Sequence, residues 1–339
     1  MNKKTTPNGL NWPNYFGQFF VFLISLSKIA VCNLRNKFQS MSNPSDIILK
    51  NVKILSQSTV NEYEFVHGDE YSLPNIDHLK EIVKLLKSVI FPGYFSNSGI
   101  YPNLQSQHIG INLERLHILL REEVNNVIKF FSNLLDKGMD KTAEELSITF
   151  IDRIPEIKRL LYTDVKAVFD GDPAAKSYGE VILCYPAIQA MTNFRTAHEL
   201  LQIGIPVIPR IITEIAHSDT GIDIHPGAQI GEYFSIDHGT GVVIGETCII
   251  GNHVQLYQGV TLGARSFTYD ERGLPVNIPR HPILEDNVIV YSNATILGRI
   301  TIGHDSIIGG NIWQTSSVPP HSRILQRKAV SSFTGGLGI

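Results

Sequence analysis

The residues best placed to do chemistry gather around His238. Histidine is the side chain best able to take a proton near neutral pH. This one stands in the stretch IDHGTG (236–241), beside Asp237 and among glycines that let a ligand approach the backbone. Asp223 lies fifteen residues earlier. A carboxylate close to an imidazole fixes its tautomer and stabilises the imidazolium, so the pair reads as a general base and its orienter. No serine or cysteine occupies a nucleophile-elbow setting, so direct attack by an activated substrate hydroxyl is expected rather than a covalent enzyme intermediate. Arg280 and His281 offer cationic donors suited to a carboxylate, and Asp172 and Asp237 offer acceptors suited to an ammonium. Together they describe a zwitterionic amino acid whose hydroxyl faces His238. His225, His238, His253 and His281 show no H-x3-H or H-x4-H spacing, so no metal is expected.

The elements that must hold these groups repeat every six residues over 222–262 and again over 284–318. Aliphatic residues recur at Ile224, Ile230, Ile236, Ile244, Ile250, Leu256, Leu262, Leu284, Val290, Ile296, Ile302 and Ile308. A second series follows four residues behind: Ala228, Phe234, Thr240, Cys248, Val254, Val260, Val288, Ala294, Ile300, Ser306, Ile312 and Val318. This period fits neither a helix nor an alternating strand, but it fits a chain that turns a corner after every short strand. Three such strands make one coil of a left-handed parallel β-helix, whose coils bury their inner faces by stacking. Glycines following several aliphatic positions (Gly231, Gly245, Gly251, Gly303 and Gly309) are expected to relax the backbone at the corners.

The period breaks twice. From Ile236 to Ile244 the step is eight, and the surplus falls within 237–241, around His238. The second break is an excursion over 263–283 that ends in PRHP (279–282) and carries Arg280 and His281. Loops thrown out of a rigid solenoid are where function concentrates.

The 339 residues suffice for two domains, and a hydrophobic content of 43% is ordinary for a globular chain. A net charge of -3 offers no basic surface for nucleic acid. Cys32, Cys184 and Cys248 have no metal or redox spacing, which favours a reducing, cytoplasmic setting. The pattern gives an α+β chain: an N-terminal extension (1–40), a helical domain (41–221), the β-helix (222–326) with its extruded loop (263–283), and a glycine-rich tail (327–339). In the extension, Lys3 and Lys4 precede an apolar run over 16–31 interrupted by Gln18 and Lys28, short for a membrane span. A dispensable or mis-assigned extension ranks first, since Met41 opens a polar stretch that makes a natural start; organelle targeting ranks second and a membrane anchor third. Helical spacing covers 76–89, 113–135, 143–168 and 179–201, and Pro155, Pro173, Pro186 and Pro206 mark helix starts or kinks. His117 and His198 on these helices are expected to pack rather than react. The tail ends on Ile339, an aliphatic residue beside the terminal carboxylate, which suits either a frayed end or a peptide ligand.

The stretches IDIHPGA (222–228), IDHGTGVVIGET (236–247), YQGVTLG (257–263) and RHP (280–282) resemble the signature of the serine O-acetyltransferases, within the hexapeptide-repeat acyltransferases. The resemblance runs from about 157 to 318 and implies transfer of an acetyl group from acetyl-CoA to L-serine, the alternatives being another hydroxyl acceptor such as homoserine or a sugar, or a non-catalytic regulator of cysteine synthase. It makes His238 the base, Asp223 its dyad partner, Asp172 and Asp237 the ammonium site, and Arg280 with His281 the carboxylate site. It further implies acetyl-CoA in a groove between adjacent solenoids, with the pantetheine arm near Gly263 and Ala264 and on a following coil at Ser292. The chain departs from the family pattern in having Ala264 where a second glycine is usual, a long excursion over 265–278, and Tyr291 with Ser292 where small residues are usual. A homotrimer or dimer of trimers is implied, as is a cysteine synthase partner bound through Ile339.

Overall fold

The computed structural model describes Lys28 and residues 43–57, 73–95, 102–131 and 141–326. The extension 1–40, apart from Lys28, and the tail 327–339 with Ile339 lie outside the described residues. The chain divides into two compact units, 1–69 and 70–339. In the first, helix α1 (Pro44–Leu55) begins on a proline that needs no partner for its nitrogen, and the Asn43 side chain caps it by accepting the Ser45 N–H at 3.2 Å.

The second unit opens with α2 (Ile76–Ile90), α3 (Gln105–Phe131), α4 (Ala143–Gly171), α5 (Tyr178–Cys184), α6 (Pro186–Gln202) and α7 (Ile208–Thr220). Local sequence sets their starts. Asn75 accepts the Asp77 N–H at 2.9 Å, Thr142 and Glu145 form a reciprocal capping box, and Ser177 accepts the Glu180 N–H at 3.1 Å. The single helical run expected over 179–201 is two helices, because Pro186 cannot donate into a continuing helix and instead begins α6. Tyr185 sits in the break. Helical stripes meet in a core that includes Leu79, Leu86, Leu116, Leu120, Phe150 and Leu161, all fully buried. His117 Nδ1 pairs with Ser147 at 3.1 Å, and His198 Nδ1 donates to the Pro226 carbonyl at 2.8 Å, so both pack structurally.

From Asp223 the chain winds into a three-faced solenoid. The first face stacks β1 (Asp223–Ile224), β4 (Val243–Ile244), β7 (Thr261–Gly263), β10 (Thr295–Leu297) and β13 (Trp313–Gln314). The second stacks β2 (Gln229–Ile230), β5 (Ile249–Ile250), β8 (Ile283–Leu284) and β11 (Thr301–Ile302). The third stacks β3 (Ser235–Asp237), β6 (Gln255–Tyr257), β9 (Ile289–Val290), β12 (Ile307–Ile308) and β14 (Arg323–Ile324). Pairing is parallel and in register, with Ile224 on Ile244 and Ile236 on Leu256 on Val290. This is the left-handed β-helix of hexapeptide repeats that the period predicts. Most inward aliphatics are fully buried, each worth roughly 1.5–3 kcal/mol.

Two details of the repeat differ from expectation. Thr240 is exposed and Val242, fully buried, fills the inner slot in its place, because the surplus residues delay the coil by two positions. The glycines after the aliphatic positions do not adopt positive φ. They provide space: a Cβ on Gly231 would stand 2.8 Å from the Gly251 backbone, and one on Gly303 would stand 2.4 Å from Pro320 N.

A buried ion pair joins helices to solenoid. Arg195 on α6 grips both oxygens of Asp164 on α4 at 2.6 and 2.8 Å, and also donates to the carbonyls of Ile230 and Gly231. Asp164 in turn accepts the Phe234 N–H at 3.3 Å. Removing one partner of such a buried pair typically costs about 3–5 kcal/mol. The helical bundle and first coil therefore share one core.

Candidate active site

Both breaks in the period fall on edges of the first face. At the edge where the third face turns into the first, Gly241, Gly259, Asn293 and Asn311 occupy equivalent left-handed corners on successive coils. Their N–H groups donate to carbonyls one coil below, at Gly221, Thr240, Gln258 and Ser292, over 2.8–2.9 Å. Only the first of these coils inserts His238 and Gly239 between strand and corner. The Gly239 N–H closes back on the Asp237 carbonyl at 2.7 Å, so His238, at φ +57°, is the centre of a three-residue turn. Turns of this kind with positive φ are strained. Gly239 follows at φ +92°, and a Cβ there would lie 2.5 Å from Ile222 Cδ1, so the position demands glycine. The insertion lifts the His238 side chain to 73% exposure, with Nε2 3.8 Å from Asp237 Oδ1.

Asp172 is brought to this edge from the helical side. It caps the C-terminus of α4, its Oδ1 accepts the Ala174 N–H at 2.8 Å, and the Tyr185 hydroxyl donates to its other oxygen. The Tyr185 bond, the Ala174 N–H and the charge of His238 hold its carboxyl below the ordinary value, against some desolvation. Tyr185 is correspondingly pushed up to about 12 by the bond to Asp172, by burial, and by the charges of Asp172, Glu180 and Asp237. Asp172, Asp237, Tyr185, Ser235 and Gln255 line one small cavity. The two aspartates proposed to meet an ammonium therefore converge.

Asp223 opens β1 on the first face, and its carboxylate clusters with Glu214 and His217 of α7, ligand atoms within 4.8 Å of one another. No hydrogen bond joins Asp223 to His238 among the described residues. The two flank a single packed contact, since Ile222 is the side chain that Gly239 abuts.

Arg280 and His281 occupy the opposite edge, where the first face turns into the second. Thr247 organises them: its Oγ accepts the N–H groups of Arg280 and His281 at 2.9 and 3.1 Å. The Thr247 N–H donates to His281 Nδ1 at 3.1 Å. A backbone N–H can only donate, so Nδ1 is an acceptor and the ring proton sits on Nε2. His281 is 7% exposed, and burial together with the charge of Arg280 lowers its pKa to about 4. It is a neutral Nε2–H donor at pH 7. Its ring lies against Gly245, where a Cβ would come 2.0 Å from Cδ2. Arg280 donates to Glu246 at 2.6 Å. Burial works to raise Glu246, but the Arg280 bond, the charges of His225 and Arg280, and Asn277 keep it below the ordinary value.

The residues expected along acetyl-CoA divide likewise. Gly263 and the half-buried Ala264 lie where β7 leaves the first face, on the Arg280 edge, with the Gly263 carbonyl accepting the Gly298 N–H at 3.0 Å. Ser292 lies on the His238 edge, next to Tyr291, whose ring stacks on Tyr257 at 4.9 Å. Corner to corner across the first face is roughly 15–20 Å at about 3.3 Å per residue. The candidate residues therefore fall into two groups, one on each edge of the first face. Sequence reasoning passed over Tyr185, Glu246 and Thr247 and read Gly245 only as a corner, although the last three stand inside a quoted motif (236–247). The signal for Tyr185 was its place before Pro186.

No protein-family model matches the chain. It is 45% identical over 298 residues to a plasmid-borne serine acetyltransferase of Synechococcus elongatus, covering 85% of this chain and 93% of that one. A Bacillus subtilis serine acetyltransferase is 46% identical over 49% of this chain and 73% of its own. Among solved structures, serine acetyltransferase isoform 3 of Entamoeba histolytica in complex with cysteine superposes with a TM-score of 0.63 at 35% identity, over 76% of this chain and 84% of that one. Serine acetyltransferase 1 of the same organism, in complex with L-cysteine, gives 0.63 at 36% identity over 72% and 86%. The triangular solenoid of six-residue rungs, taken with these relatives, places the chain among the hexapeptide-repeat acyltransferases. Within that class the chain belongs to the serine acetyltransferase family of enzymes.

Proposed function

We propose that this enzyme transfers the acetyl group of acetyl-CoA to the hydroxyl of L-serine at a site completed between two subunits of a trimer. The carrying observation is the division of the site residues over two edges of the first face. His238, Asp237 and Asp172 stand on one edge, and Arg280 and His281 on the other. A three-fold axis alongside the solenoids sets one edge of each subunit against the opposite edge of the next. Asp172 and Asp237 then take the ammonium and Arg280 with the His281 Nε2–H takes the carboxylate. The bound cysteine in the two Entamoeba relatives shares both groups with serine.

In this arrangement His238 removes the proton from the serine Oγ as that oxygen attacks the thioester carbonyl. The tetrahedral intermediate expels the CoA sulfur, which takes the proton back from the imidazolium. For Asp223 to orient the charging imidazole, the exposed His238 side chain turns from Asp237, where its Nε2 stands 3.8 Å from Oδ1, toward β1. Gly263, Ala264 and Ser292 border the groove proposed for the pantetheine arm. No step needs a metal. No helix of the described residues is long and apolar enough to cross a membrane.

Complementation tests the division. His238→Ala and Arg280→Gln variants, each inactive alone, are unfolded together, refolded as mixed trimers and assayed for serine-dependent CoA release. Random mixing leaves about a quarter of the interfaces with both edges intact, so roughly that share of wild-type turnover should return. Turnover that stays at the level of the separate variants would sink the shared site.

A further inference from the structure

We propose that His304, Asp305 and His321 form a binding site for a divalent transition metal, with Zn2+ the fitting ion, on the edge where the second face turns into the third. This edge carries none of the groups assigned to catalysis, and the inference is independent of that assignment. One ligand atom from each residue lies within 4.8 Å of the others. His304 Nδ1 stands 2.7 Å from Asp305 Oδ2, and His321 Nδ1 stands 3.6 Å from the same oxygen. The two imidazoles meet edge to face with centroids 4.8 Å apart. Ligands bound to tetrahedral zinc at about 2.0–2.2 Å stand about 3.3–3.6 Å from one another. A metal therefore fits once it replaces the proton shared by His304 and Asp305 and widens that pair by less than about 1 Å. Two imidazoles and one carboxylate select zinc and its neighbours over magnesium or calcium.

The scaffold positions these groups in the way metal sites require. Asp305 and His321 both adopt φ +57° at equivalent corners of successive coils. The Asp305 N–H donates to the Asp286 carbonyl at 3.0 Å, and the His321 N–H to the His304 carbonyl at 2.9 Å. Their spacing is therefore the coil repeat itself, fixed by the ladder. One coil earlier at the same corner, Asn287 donates to Asp305 Oδ1 at 3.0 Å, which turns Oδ2 toward the imidazoles. An outer partner of this kind orients a metal-binding carboxylate. Glu285 accepts the His304 N–H at 2.8 Å and anchors the remaining ligand's backbone. All three side chains reach solvent, at 41–70% exposure, so an ion can enter and a water can complete the coordination.

The location suggests what the metal does. The last described strand, β14, pairs with β12 alone, and Pro319 and Pro320 beside it can donate nothing to the ladder. A metal held by His304 and Asp305 on one coil and His321 on the next pins the terminal coil where the backbone ladder is weakest.

The test uses the full-length chain, stripped with EDTA and dialysed against zinc chloride. One zinc per chain is expected, with an unfolding midpoint that rises with zinc and falls back with EDTA. Magnesium in excess should not displace it. His321→Asn keeps a residue type that tolerates the left-handed corner and should weaken zinc binding by at least about 100-fold. Asn287→Gly removes only the outer partner and should weaken it about tenfold. Circular dichroism establishes that each variant is folded. Zinc that fails to bind the wild type, that binds His321→Asn as tightly, or that is lost on His238→Ala instead overturns the proposal.

Discussion

On one edge of the first face His238 stands 73% exposed at the centre of a strained turn, while on the other His281 is 7% exposed and held by Thr247 against Gly245. In the proposed mechanism the same residue type serves opposite tasks. A base must gain and lose a proton within each turnover, so its proton-accepting nitrogen needs access to the substrate hydroxyl. A donor to a carboxylate must keep its proton in one place, and burial with a backbone N–H on Nδ1 achieves that at the cost of basicity. Two histidines matched in chemistry would compete for the serine proton, whereas these two cannot.

The contrast is most directly broken at His238. His238→Ala should lower serine-dependent turnover by about 10²- to 10⁴-fold, while the variant, exposed at this position, stays folded by circular dichroism. Turnover that survives the substitution would move the base elsewhere.

The other edge predicts a pH effect on stability. His281 has a folded pKa of about 4 against an ordinary 6.5, so below pH 6.5 the unfolded chain binds the extra proton and the folded state loses ground as pH falls toward 4. Between pH 6.5 and 5 the cost is about 1.5 kcal/mol. His281→Gln should flatten that part of the curve in denaturant titrations. An unchanged slope would mean that His281 is not held neutral.

The smallest effect is expected at Tyr185. Tyr185→Phe removes the hydroxyl bond to Asp172, worth about 1 kcal/mol, and should raise the KM for serine roughly fivefold with kcat nearly unchanged. An altered kcat with constant KM would place Asp172 in the chemistry rather than in ammonium binding.

The solenoid was legible in the sequence because a six-residue period has one structural solution, and the same period exposed the insertion that carries His238. Its slots were less legible: Thr240 kept the count of four while Val242 took the burial, since an inserted turn restores register only at the next strand. The glycines were read as flexible corners, yet Gly245 is required by the ring of His281, a neighbour thirty-six positions away that no local pattern reveals. Tyr185 escaped for a similar reason. Its bond to Asp172 depends on how α4 and α6 meet. The separation of the candidate residues onto two edges was also hidden, because sequence spacing gives the rung of a residue but says less about which edge it stands on.

The buried grip of Arg195 on Asp164 and on the carbonyls of Ile230 and Gly231 gives the solenoid a beginning and an end that are not alike. A coil draws stability from the neighbours it stacks upon. The first coil has a helical bundle as its template, whereas the last described coil has a neighbour on one side only. Support along the β-helix is thereby uneven, and the rungs that carry Asp223 and His238 lie in the coil that rests on the bundle.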